Sequence, residues 1–269
     1  MLRSITALMM VLMCFCGSLS MGGEAEKGES ADPKTYEEAV ELTKQTPGFK
    51  NLQKLGLALH GYHDHFKRFP PAVLLAPNAQ TYSWRVELLP VIKHYVNRIE
   101  PEKLTGEKTR EEYNQLIAEC GYDITEPWDS PKNADILKNI PEVFRHPDDA
   151  VDSRFSAYYA VVGTGTAFDP EQYTQYIQSQ YAEELKWMST TLMVVESRSR
   201  EPWTKPVDIV YSPSGTVPRF GGFTKDGFMS LTCEGAVHFI PETTTPDALR
   251  AFLSKTTDDA FVIVGIPHQ

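Results

Sequence analysis

Leu52, Leu55, Leu59, Tyr62 and Phe66 recur at alternating steps of three and four along NLQKLGLALHGYHDHFKRFPPA. That spacing puts all five on a single apolar stripe of an α-helix. Phe69-Pro70-Pro71 closes the run, because proline has no N–H to donate and pushes its predecessor out of the helical region. A helix with one apolar stripe must lie on something. The C-terminal half supplies it: residues 155–162, 190–196 and 207–211 are rich in β-formers and bounded by turn residues. FMSLTCEGAVHFI reads as a hairpin, with strands over 228–232 and 236–240 and a turn at Cys233-Glu234-Gly235. Helices first and strands later predict an α+β fold, an amphipathic N-terminal helix packed on an antiparallel β-sheet.

Further elements are expected around this frame. Asp32-Pro33 marks a helix start, and a short helix over 36–44 is broken by Thr46-Pro47-Gly48. Residues 82–95 and 109–118 read as helical, 246–253 as a late short helix and 261–264 as a closing strand. Gly163-Thr164-Gly165-Thr166 lacks the lysine and third glycine of phosphate-binding loops and reads as a turn.

The first twenty residues read as a secretory signal. Arg3 carries the positive charge, residues 5–15 are apolar, and Ser18 and Ser20 fit cleavage after Ser20. The apolar part is too short for a bilayer core, which takes about twenty residues, so the mature chain is expected to have no transmembrane helix. Met13 and Phe15 are bulky beside Cys14 and Cys16, which disfavours a lipid anchor. Residues 21–32 read as a disordered tether and 33–269 as a single α+β domain. The expected location is extracytoplasmic, periplasmic or secreted. With 26 basic against 36 acidic side chains and a net charge of −10, nucleic acid and anionic membrane surfaces are poor partners.

Three sets of residues are site candidates. His60, His63 and Asp64 share one flank of the helix and could offer two nitrogens and a carboxylate to a metal. His65 falls roughly 140° from His60, so all three imidazoles cannot meet on one ion. Capping and packing at a helix end explain the cluster without a metal. Trp128 and Trp203 sit between prolines in EPWDSP and EPWTKP, as rigid anchors or as ligand-stacking rings. Cys120 and Cys233 remain after signal removal and could bridge or stay as separate buried thiols. No serine-hydrolase elbow is present, no catalytic residue is nominated, and no cofactor is implied.

NLQKLGLALHGYHDHFKRFPPA, SWRVELLP, EPWDSPKN, YYAVVGTGTAF, VVESRSREPWTKPVDI and GGFTKDGFMSLTCEGAVHFI occur in the order seen in a bacterial family, domain of unknown function 1559, or SBP_bac_10. The resemblance spans about residues 48–253. It implies a pseudopilin-like organisation and no established catalytic activity. Many members of that family begin with a prepilin-type leader and a long hydrophobic helix, and end in a histidine, nine residues and Asp-Gly. Here an ordinary signal replaces the leader, which argues against assembly into a fibre. Thr224 stands at the histidine, Glu234 replaces the aspartate before Gly235, and His146 stands where a cysteine is usual. The histidines and aspartate at 60, 63 and 64 agree with the family.

Three functions follow as expectations. The first is a secreted, non-enzymatic envelope protein with a structural or interaction role toward an unidentified envelope or protein partner. The second is an extracytoplasmic solute-binding protein using Trp128 and Trp203. The third is a metal-dependent enzyme using His60, His63 and Asp64.

Overall fold

A computed structural model describes residues 41, 43–149, 154–170 and 187–255. The expected signal, the expected tether and the expected closing strand over 261–264 lie outside the described residues.

Helix α1 (Phe49–Phe66) carries the apolar stripe. Leu52, Leu55, Leu59 and Tyr62 are wholly buried, each worth roughly 1.5–3 kcal/mol of removal from water. A side chain at Gly56 would stand 3.1 Å from Leu231 Cδ1 and 3.4 Å from the Gly235 carbonyl. Glycine there sets how closely the helix approaches the C-terminal hairpin. Lys67 ends α1 in a left-handed conformation at φ 57° and donates its N–H back to His63 O.

The chain then forms a two-stranded antiparallel ribbon, β1 (Val73–Leu75) and β2 (Thr81–Ser83). The helix expected over 82–95 is broken into pieces. Ser83 caps a single turn, α2 (Trp84–Glu87), by accepting from Arg85 N–H, and a π-helical turn runs over Val91–Val96. Pro90 lies between them without an N–H to continue the α-ladder. Helix α3 (Arg110–Glu119) begins at a capping box in which Thr109 and Glu112 satisfy each other's backbone donors. A short helix α4 (Ala134–Lys138) leads into the sheet.

The main sheet contains β3 (Tyr158–Val162), β4 (Leu192–Glu196), β5 (Ile209–Val210), β6 (Gly227–Thr232) and β7 (Val237–Pro241), in the order β5-β3-β4-β6-β7. Four strands are antiparallel neighbours as expected, and β5 adds to the edge in parallel with β3. Gly163 makes that edge addition feasible. Its φ is 142°, and any Cβ would fall 2.0 Å from the Tyr211 carbonyl, so β3 and β5 could not end side by side with another residue there. The turn at Cys233-Glu234-Gly235 is confirmed, with Gly235 N–H donating to Thr232 O.

Both faces of the sheet are covered. Ala160, Val194, Met229 and Leu231 join the α1 core. Val161, Leu192, Val195 and Ile240 pack with Phe252 and Leu253 of helix α5 (Pro246–Leu253). The register of β4 against β6 shifts between Leu192 and Val194. This bulge turns both Met193 and Val194 toward α1 and returns Val195 to the α5 side.

Candidate functional site

Where the C-terminal end of α1, the β1–β2 ribbon and the β3–β5 edge meet, they leave a cavity of about 1270 Å³. Its walls include Phe69 and Pro70 after α1, Leu74 and Ala76 of the ribbon, Phe168 and Trp187. Val73 and Leu75 on the ribbon, and Val207 and Val210 at the sheet edge, line it while remaining 47%, 72%, 37% and 74% exposed. Apolar side chains of that size are ordinarily scattered singly on a surface; here four converge on one groove.

His60 and His63 both line this groove and meet Phe69, with ring centroids 5.4 and 5.1 Å away. Burial, aided by the neighbouring charge of His63, holds His60 below its ordinary pKa, so its imidazole is neutral at pH 7. Asp64 is exposed to solvent. His65 turns away and packs on Phe66 and Tyr113. Among the described residues, no group of three His, Cys, Asp or Glu side chains is arranged to hold a metal ion. His60 and His63 thus share a groove wall, and Asp64 does not line it.

Trp128 and Trp203 do not line this groove. Trp203 is fully buried, stacks on Phe144 at 5.7 Å, and donates its indole N–H to the Leu137 and Ile136 carbonyls at the end of α4. Trp128 is half-buried beside the Lys205 ammonium, 5.9 Å from its ring. Of the two alternatives for Cys120 and Cys233, a bridge or separate thiols, the structure has the second: both are free. Cys120 closes α3, whereas Cys233 sits in the hairpin turn below α1. Burial pushes Cys120 up to about 11 and Cys233 up to about 12, so neither is a thiolate nucleophile at neutral pH.

Several buried carboxylates escaped the sequence reading, Glu87, Asp208 and Glu196 among them. Glu87 accepts from Tyr62 OH at 2.9 Å and Tyr82 OH at 3.0 Å, and pairs with Arg110. Arg110 reaches it from α3 across the Phe66 and Tyr113 rings. Asp208 pairs with Arg85 at 2.7 Å, and the same Oδ1 accepts from Trp84 Nε1 and Ala160 N–H. The Arg85 guanidinium lies 4.9 Å from both the Trp84 and Tyr159 rings and also donates to the Tyr158 carbonyl. Burial still raises Asp208 above the usual carboxylate range, with Arg85 opposing the rise. Glu196, at the end of β4, accepts from Thr224 and from Met229 N–H.

One signal for these was available. Arg85, Glu87 and Glu196 are charges set inside otherwise apolar runs, SWRVELLP and TLMVVES. A charge at such a position is either exposed on a polar face or buried with partners. Partners such as Asp208 and Thr224 come from segments remote in sequence, so only folding names them.

The family SBP_bac_10, a protein of unknown function (DUF1559), matches residues 49–193, more than half of the 269-residue chain. The chain belongs to this family. No curated protein and no solved structure matches it. The DUF1559 match begins at α1 and ends within β4, so it takes in the ribbon, Arg85, Glu87 and most of the groove. The hairpin and Thr224 fall beyond it. Where the DUF1559 resemblance leads one to expect a histidine, Thr224 fastens the buried Glu196. Where it leads one to expect a cysteine, His146 is buried with its ring stacked 4.5 Å from Phe223. Among the described residues, no helix is long and apolar enough to cross a membrane.

Proposed function

We propose that this protein is an extracytoplasmic, non-enzymatic binding protein of pseudopilin-like organisation, and that the groove beside α1 is its interaction site. The groove carries this reading. It is large, its walls are mainly aromatic, aliphatic and proline side chains, and four of them are exposed in a way that folding alone does not reward. The buried polar groups nearby serve internal structure. Glu87, Glu196 and Asp208 are fastened by hydrogen bonds to neighbouring elements, which is how buried charges are kept tolerable and not how a general acid or base is presented. The leader-like first twenty residues support export. The helix-on-sheet arrangement supports the pseudopilin-like description.

The test is a titration of the purified protein with the apolar fluorophore N-phenyl-1-naphthylamine. Saturable binding is expected, weakened about tenfold or more by Leu75→Asp or Val210→Asp, since a buried carboxylate strongly opposes apolar contact. A wild-type protein that does not bind the probe, or variants that bind it equally well, would remove the groove as a binding site.

A further inference from the structure

We propose that the ligand of the groove is a long-chain fatty carboxylate, its alkyl chain on the apolar walls and its head at the end of α1. This deepens the reading of the groove as a binding site and rests on it.

Charge is unevenly distributed around the groove. Lys67 and Arg68, the first two residues past α1, both line it. Arg110 joins them from α3, its guanidinium lying over the rings of Phe66 and Tyr113. The sheet-edge wall carries Val162, Pro206, Val207 and Val210, and its charge, Asp208, is paired with buried Arg85. Arg110 is likewise matched by Glu87. With those two pairs neutral, Lys67 and Arg68 stand against Asp169 among the described lining residues. Asp169 is turned to the Gly165 N–H, which donates to it at 2.7 Å. An excess of one positive charge remains, on a chain whose net charge is −10. The complement of that corner is a monoanion. The dipole of α1 ends negative there, so side chains and not helix N–H groups must hold the head.

Asn114 supplies an independent observation. It lies one turn beyond Arg110 on α3, lines the same groove, and has a buried side-chain carbonyl with no hydrogen-bond partner among the described residues. A buried amide left in that state is costly. Turned over, its NH2 can donate to a carboxylate seated beside Arg110.

The walls favour an alkyl chain over a peptide. Pro70, Pro71, Pro77, Pro170 and Pro206 all line the groove, and none has an N–H to offer a peptide backbone. A chain of methylenes asks for no hydrogen bonds and gains from every contact with Phe69, Leu74 and the exposed valines.

The experiment is displacement of N-phenyl-1-naphthylamine from the full-length protein by dodecanoate, dodecyl phosphate and dodecyltrimethylammonium, each below its micelle concentration. Wild type is compared with a Lys67→Gln, Arg68→Gln double variant, whose folding circular dichroism confirms. Dodecanoate is expected to displace the probe at a concentration about tenfold or more below that of the ammonium amphiphile. In the double variant that preference is expected to fall to about twofold or less while the probe itself still binds. Equal displacement by the two in wild type overturns the proposal, and so does a preference that survives the double substitution. Dodecyl phosphate acting about tenfold below dodecanoate overturns the carboxylate head. Bound probe that none of the amphiphiles displaces overturns the alkyl ligand and leaves the groove as a binding site. A wild-type protein that binds no probe removes the proposed function and this inference with it.

Discussion

Thr224 holds Glu196 by two hydrogen bonds, from its N–H to Oε1 at 2.8 Å and from its hydroxyl to Oε2 at 2.7 Å. Met229 N–H adds a third from β6 at 3.2 Å. Glu196 ends β4 opposite Tyr158 of β3 and has no solvent exposure. A loop residue thus completes the satisfaction of a carboxylate in the sheet. Thr224→Val keeps the shape and removes the hydroxyl. It is expected to destabilise the protein by about 1.5–3 kcal/mol, the usual worth of a hydrogen bond to a buried charge, whereas Thr224→Ser retains most of the stability. Urea denaturation of the pair measures this; equal midpoints for Thr224→Val and wild type would show that the hydroxyl does not hold the carboxylate.

Arg85 and Asp208 form the other fastening, with side chains only 1% and 2% exposed. Removing one member of such a pair strands the other charge. Arg85→Met is expected to cost about 3–5 kcal/mol. Arg85→Met combined with Asp208→Asn is expected to cost less than the sum of the two single changes, because the second change relieves the charge that the first leaves behind. A double-mutant cycle gives the coupling directly, and strict additivity would contradict the pairing.

His60, His65 and His146 are all held below their ordinary pKa, in each case chiefly by burial. In the unfolded chain they take up protons near the ordinary histidine value of about 6.5. Below that value, and down to the lower folded values, the unfolded state binds more protons, so stability rises with pH across this window. The contribution is complete above the unfolded value and is lost as the pH falls below it. Stability measured from about pH 5 to pH 7 is expected to increase. His146→Gln should flatten the slope, since this imidazole has no solvent exposure. A variant with the same slope as wild type would remove His146 from the effect.

Cys120 and Cys233 are free, one partly exposed and one buried. Alkylation without reductant is therefore expected to label both cysteines once the protein is unfolded. In the folded state Cys233 should be protected, because burial suppresses both access and thiolate formation. Peptide mass spectrometry reads the two sites separately. A mature protein whose cysteines are labelled only after reduction would show that they are bridged.

Local pattern accounts for what was legible before the structure. The stripe of α1 follows from side chains repeating at helical period against a polar background, and Phe69-Pro70-Pro71 stops it for reasons internal to the backbone. The hairpin around Gly235 follows from alternation and a glycine at φ 95°. Over 82–95 the apolar content suggested one helix, but Ser83 as a cap and Pro90 as a missing donor divided it into short turns. The histidines were correctly placed on two flanks of α1. What the flank holding His60 and His63 faces was set by Phe69 and by the ribbon folding back over it.

The amino-acid sequence by itself determined that there would be an amphipathic helix, a hairpin and an α+β combination of the two, because periodicity and proline act over a few residues. It determined the family on the order of its motifs. Only the tertiary structure decided that Arg85 finds Asp208 across 123 residues, that Thr224 secures Glu196, that Cys120 and Cys233 stay apart, and that four apolar side chains share one groove. Those relations depend on which strands become neighbours. Strand order is settled by burying both faces of the sheet at once, a constraint that no local stretch of sequence contains.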